Sequence, residues 1–379
     1  MNPGSITAQF PSMEGMTYFN HAAVAPWPLA ASEAVKRFAE ENARRGPAGY
    51  SEWIRRENRL RELLAQLLGA SCNEDIALLK NTTECISTVA WGLDWQPGDN
   101  LILPEGEFPS NELPWLAQAE KGVEIRRVDL RTVESAESAL LEAMDERTRL
   151  LAVSSVQWND GFRLDLKTLG EACKTRDVLF FVDAIQQLGA LRINVTDCHI
   201  DFLAADAHKW LLGPEGVAVF FTTAASRPRL QLRQLGWHMF DNPFQFKRRD
   251  WSPADSARRF EAGSPNTLGQ VAFLASLELL LEAGTDAVEQ SVLANTQALM
   301  DGLAGMKSVE LVSATAPFRR SGIVNFRSEK LAAHRLHSAL MQQHIHCTVR
   351  GEGVRLSPHF YQGEVETSRV LEAISEQLT

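Results

Sequence analysis

Apolar residues recur every three or four positions through ASEAVKRFAEENARRG (31–46) and YSEWIRRENRLRELLAQLLGA (50–70), which predicts helices that each bury one face. The pattern then changes. Short apolar runs, DIALLK, NLILP, RLLAVSSV, VLFFVDA and GVAVFF, alternate with helical segments such as TECISTVAWGL and DLKTLGEACKTR. That alternation predicts an α/β domain with a mostly parallel central sheet flanked by helices. In such sheets ligands gather beyond the carboxyl ends of the strands. After residue 265 a long helical pattern, GQVAFLASLELLLEAG onward, leads into a mixture of strands and helices. The expected organisation is a large domain over 17–265 and a smaller C-terminal α+β domain over 266–379, with segment 1–16 joined to the latter.

Length and charge narrow the function classes. A chain of 379 residues exceeds the size at which a single core stops growing, in keeping with two domains. Lys plus Arg total 38 against 48 Asp plus Glu, a net charge of −10 that disfavours nucleic acid and anionic membrane as partners. No apolar stretch is long enough to predict a membrane span. The N-terminus, MNPGSITAQFPSMEG, has no basic head followed by an apolar run, so a cytoplasmic location is expected. The five cysteines are scattered, with no CxxC pair, which argues against a disulfide framework or a structural zinc site. HIHC at 344–347 would put His344 and His346 on one face of a strand and Cys347 on the other, so no metal is expected there.

Several stretches carry candidate chemistry. In FLAADAHKWLLGPEGVAVFF, Lys209 follows His208 between two apolar runs, where a lysine either snorkels to solvent or serves a buried partner. Asp183 ends the apolar run of VLFFVDAIQQLGA; it reads as a cap of the strand-to-helix turn, or as a buried carboxylate that requires something cationic. NTTECIS offers Asn81 and Glu84 at capping-box spacing, while Thr82 and Thr83 at the same helix start would suit a phosphate. Phe108, in the EGEFPSNELPW loop, is a packing aromatic or a flat face for a ring. Arg350 and Arg355 in VRGEGVRLSPHFY are surface charges, or a grip on a carboxylate.

In this order, YFNHAAVAP, NTTECIS, EFPSNELPW, VDAIQQLGA, HKWLLGPEG, RRFEAGSPNT and VRLSPHFY resemble the class V aminotransferases, pyridoxal phosphate enzymes of fold type I that include cysteine desulfurases, selenocysteine lyases and isopenicillin N epimerase. The resemblance implies pyridoxal 5′-phosphate as cofactor and Lys209 as its Schiff-base lysine. It implies that Asp183 pairs with the pyridine nitrogen, where protonation makes the ring an electron sink. Gln186 would contact the ring hydroxyl, Phe108 would stack on the ring, and Thr82, Thr83 and His208 would hold the phosphate. Arg355 would receive the substrate carboxylate, with Arg350, Trp158 and His21, together with Trp237 and His238, among the residues that select the substrate. Gly263 and Ser264 would reach the partner subunit's phosphate, which implies a homodimer.

Three departures from the family pattern bear on the reaction. Asp206 stands where many desulfurases have a serine two positions before the histidine, an anion beside an expected phosphate. Trp158 stands where they have an asparagine. The loop that carries their persulfide-forming cysteine is missing from GEGVRLS, and Cys347, which precedes Arg350, is not its counterpart. A thiol is needed to accept sulfur, whereas a released lysine amine suffices to move a proton from an α-carbon. An amino-acid aminotransferase is therefore the first expectation, a C–S lyase acting by β-elimination the alternative, and an epimerase a third.

Overall fold

The structure, a computed structural model, describes residues 6–11, 15–131, 133, 135–245, 247 and 251–379. Near the N-terminus a short strand, β1 (Thr17–Tyr18), precedes two long helices, Leu29–Arg45 and Tyr50–Leu68. The central sheet follows, built from β2 (Ile76–Leu79), β3 (Asn100–Pro104), β4 (Glu124–Val128), β5 (Thr148–Ser154), β6 (Leu179–Asp183), β7 (Phe202–Asp206) and β8 (Ala218–Thr222). Their spatial order is β2-β8-β7-β6-β5-β3-β4. From β7 to β4 every neighbour is parallel, while β8 runs antiparallel to both β7 and β2.

Apolar runs without polar alternation are what a sheet covered on both faces requires. Successive residues accordingly enter opposite cores. Ile102, Phe180, Val182 and Leu203 pack on one face with Leu60 and Leu64 of the Tyr50–Leu68 helix and Leu169 of the Leu166–Thr175 helix. Leu101, Leu103, Phe181 and Phe202 pack on the other with Ile86 and Val89 of the Thr82–Gly92 helix.

The C-terminal part holds a separate antiparallel sheet, order β12-β13-β10-β9, made of β9 (Val309–Leu311), β10 (Val324–Ser328), β12 (Thr348–Arg350) and β13 (Gly353–Leu356). Its core joins Val324, Phe326 and Leu356 to Leu299 and Leu303, to Val370 and Ile374 of the final helix, Glu364–Leu378, and to Phe19 from the N-terminal segment. Strand β1 also pairs in parallel with β11 (Ile345–His346), and Phe10 stacks on Tyr361 at 3.6 Å. The Thr267–Ala283 helix lies beyond residue 265, yet Phe273, Leu277 and Leu280 on it belong to the core of the central sheet, so that core spans the 265/266 boundary. Among the described residues no helix is long and apolar enough to cross a membrane.

Candidate active site

Register aligns the ends of the parallel strands. Ser154 pairs with Asp183, and Asp183 with Ala204, so β5 and β6 finish at one level and β7 runs two residues beyond them, to Asp206. Lys209 lies three residues past the end of β7, in a turn that the Leu212 N–H closes on the Lys209 carbonyl at 3.1 Å. Leu212 takes φ +60°, left-handed backbone that is uncommon for leucine, and its carbonyl accepts from Ser276 Oγ at 2.8 Å. Behind the turn Gly189, at φ +99°, packs so tightly that an added Cβ would lie 2.4 Å from the Trp210 carbonyl oxygen.

A cavity of about 240 Å³ opens at these strand ends. Thr82, Thr83, Phe108, Trp158, Asp183, Gln186, His208, Lys209, Arg350 and Arg355 all line it, so segments from 82 to 355 converge on one place. Thr82 and Thr83 begin their helix, which Asn81 caps: its Oδ1 accepts from the Glu84 N–H at 2.8 Å, while Glu84 reaches one residue past the cap to accept from the Lys80 N–H at 2.7 Å, so only half of the expected capping box forms. The capping and phosphate-seat readings of that stretch are compatible. Phe108, 42% exposed, stands at the mouth, its ring edge-on to Trp158 and 5.6 Å from Lys209 Nζ. Gln186 is held by Trp210 Nε1–H, which donates to Oε1 at 3.0 Å, while its Nε2 donates to the Ala22 carbonyl at 3.0 Å.

The electrostatics follow from burial. Burial pushes Lys209 down to about 8, with the Asp183 carboxylate opposing the fall and Arg355 adding to it. Burial pushes Asp183 up to about 6, against the Ile185 N–H and the Lys209 charge. His208 falls to about 4 through burial and the adjacent Lys209. Arg355, 1% exposed on β13, falls to about 9 through burial and Arg350. Its Nη1 donates to the Trp158 carbonyl, whereas Nε and Nη2 have no hydrogen-bond partner among the described residues. That unpartnered edge is a two-donor fork matched to a carboxylate.

Not every residue expected at the site reaches it. His21 is fully buried, its ring nitrogens bond the Ser357 carbonyl at 2.8 Å and the Tyr361 hydroxyl at 2.5 Å, and it is not among the residues that line the cavity. Gly263 and Ser264 line an adjoining hollow of about 700 Å³ with Lys80, Asn81 and Gly216. His238 lies in a buried cluster with Glu57 and Glu261. Arg61 Nη2 bonds Glu57 at 2.5 Å and Glu261 at 2.7 Å there, already supplying the cation that those carboxylates require. Trp237 is not among the cavity's lining residues.

Other residues arrive unannounced by the sequence. Ala22, Ala23, Val24 and Ile185 line the cavity with no side-chain chemistry to signal them. Ser110 also lines it and accepts from Thr83 Oγ1 at 2.8 Å; its place two residues after Phe108 in one loop was the available signal. Glu107, buried beside Phe108, accepts from the Ser154 N–H at 2.7 Å and is pushed up to about 7 by burial.

An α/β fold with a buried lysine, a buried carboxylate and a helix N-terminus around one cavity at the strand ends defines the class of pyridoxal phosphate-dependent enzymes. The chain belongs to the class-V aminotransferase family, whose model matches residues 17–369. It is 27% identical over 398 residues to a probable cysteine desulfurase of Methanothermobacter thermautotrophicus, covering 99% of this chain and 98% of the relative. It is 24% identical over 376 residues to an uncharacterized aminotransferase of Schizosaccharomyces pombe, covering 96% and 92%. Among solved structures it superposes on the cystine C–S lyase C-DES, in complex with its product cysteine persulfide, with a TM-score of 0.90, 25% identity, and coverage of 97% and 99%.

The residues present fit pyridoxal 5′-phosphate. Buried polar atoms at the cavity, Arg355 Nε and Nη2, have no hydrogen-bond partner among the described residues, as expected of groups that meet ligand atoms. Asp183, raised but still ionised near neutrality, suits a ring nitrogen, and Lys209 near 8 suits a carbonyl.

Proposed function

We propose that the protein is an amino-acid aminotransferase. The observation that carries the reading is the unpartnered Nε/Nη2 edge of Arg355 in the same cavity as Lys209 and Asp183, a carboxylate grip beside an amine of lowered basicity.

Arg355 takes the α-carboxylate of the amino acid and so orients the bond to be broken at its α-carbon. Thr82, Thr83 and His208 would hold the phosphate, Phe108 would cover the ring, and Gln186 Nε2, with one hydrogen left after Ala22, would be free to donate to the ring hydroxyl. Asp183 keeps the ring nitrogen protonated. When bound, the cofactor supplies the electron sink for charge left at the α-carbon. Lys209 would anchor the cofactor through Nζ, and that amine, whose basicity burial lowers to about 8, would be the base that takes the α-proton of the bound amino acid and passes it on. Trp158, held by a 3.0 Å bond from Nε1 to the Gly106 carbonyl, and Arg350 form the wall facing the substrate side chain.

A C–S lyase is the second reading, favoured by the likeness to the cystine C–S lyase. No described cysteine lines the cavity, and Cys347 is buried with its thiol pushed up to about 12, so sulfur would leave on a small molecule and not on the enzyme. Incubating the purified protein with single amino acids separates the two readings. Transamination releases a keto acid without ammonia and requires a keto-acid acceptor to continue. Elimination from cystine releases pyruvate and ammonia with no acceptor, and that result would replace the first reading by the second.

The proposal includes a cytoplasmic homodimer. Gly263 and Ser264, on the open hollow beside Asn81, would each serve the phosphate of the partner subunit. Mixed dimers carrying Lys209→Ala in one subunit and Ser264→Ala in the other test this: half-sites should recover only when both lesions fall in one site.

A further inference from the structure

We propose that Asp206 makes cofactor retention pH-dependent: as a carboxylate it occupies the phosphate seat, and it takes up one proton from solvent when a phosphate ester binds there. The proposal rests on the reading of this cavity as a pyridoxal phosphate site.

Asp206 ends β7, is 8% exposed, and lines the cavity with Thr82 and His208. Its Oδ2 lies 3.6 Å from His208 Nδ1, and its Oδ1 is buried with no hydrogen-bond partner among the described residues. The backbone N–H of Thr82, first residue of the Thr82–Gly92 helix, faces this carboxylate, so the chain has already placed an anion where the helix dipole favours one. Of the charges around it, Lys209 attracts, whereas Glu215 and Asp183 repel. Cys85, on the helix behind, carries a thiol held well above its usual range and stays neutral, and His208 is neutral as well. Burial, opposed by Thr82 and Lys209, leaves Asp206 at about 7.

A phosphate dianion brought to the same N–H groups adds a like charge at short range. The carboxylate must then gain a proton, and its O–H becomes a donor to a phosphate oxygen. One proton leaves solvent for each cofactor bound at Asp206, and binding weakens as pH rises through the range in which free Asp206 is ionised.

The test is equilibrium titration with pyridoxal 5′-phosphate, read by quenching of tryptophan fluorescence, for the parent, Asp206→Ser and Asp206→Asn. Above about pH 7 the ratio of the parent's Kd to that of either variant should climb by up to about tenfold per pH unit, and calorimetry in two buffers should count about one extra proton taken up by the parent. Pyridoxal, which lacks the phosphate, should show no such climb. Asparagine keeps the aspartate shape, so the comparison survives if serine disturbs the turn. A ratio constant across the pH range would overturn the proposal and leave the cofactor site standing. Failure of all three proteins to bind the cofactor at any pH would overturn both.

Discussion

Holding Lys209 in a site that depresses its basicity has a cost in stability. Its ammonium falls from 10.5 to about 8 in the folded protein, and 2.5 pH units at about 1.36 kcal/mol each give about 3 kcal/mol. The sign follows from proton binding. Between the folded and unfolded values the unfolded chain holds the proton and the folded one does not, so stability rises with pH across that window. Below about pH 8 both states are charged and the whole penalty is felt. Lys209→Met keeps the volume and removes the charge, so the cofactor-free variant should be more stable than the parent at pH 7. The attraction of Asp183 is already contained in the value of about 8, so the expected gain stays at about 3 kcal/mol. Urea unfolding of both proteins, freed of cofactor and followed by circular dichroism, measures the difference. The gap should narrow from about pH 8 and close near pH 10.5. A variant less stable than the parent at neutral pH, or a gap that does not change with pH, would refute the reasoning.

Other perturbations read other parts of the site. Arg355→Ala removes the two-donor edge and should weaken amino-acid binding or turnover by about 2–5 kcal/mol, roughly thirty-fold to several-thousand-fold, while cofactor absorbance is retained; Arg355→Lys should recover only part, because it lacks the planar fork. Asp183→Asn should loosen the cofactor in equilibrium dialysis and lower turnover by several orders of magnitude, on the scale of other electrostatic losses. Gly189→Ala, combining φ +99° with a 2.4 Å approach to the Trp210 carbonyl, should lower the midpoint of thermal unfolding by the equivalent of at least about 2 kcal/mol.

Much of the frame was legible because its signals are local. VLFFVDA reads as a strand covered on both faces, and β6 is buried throughout and ends on Asp183. Asp183 could be flagged because it ends a covered strand, whereas Lys209 and His208 drew their roles only from the resemblance of their block to the family. Tertiary partners were not legible. His21 lies in a suggestive block, yet what fixes it are Ser357 and Tyr361, more than three hundred residues along the chain. The Thr267–Ala283 helix is apolar almost all round, so its sequence does not say which core it joins; packing puts Phe273 and Leu277 against the central sheet. Asp206 could be flagged as an anion beside an expected phosphate, but the burial that sets its protonation belongs to the folded cavity.

The proposed role of Lys209, as covalent anchor of pyridoxal 5′-phosphate in the cavity that also holds Asp183 and Arg355, underlies every other assignment at the site. Reduction of the cofactor-loaded protein with borohydride, followed by peptide mass mapping, tests it most directly. One pyridoxyl group per chain is expected, on Lys209 in the peptide containing AHKW, and none in Lys209→Ala. A reduced adduct on another lysine, or an undiminished adduct in Lys209→Ala, would contradict it.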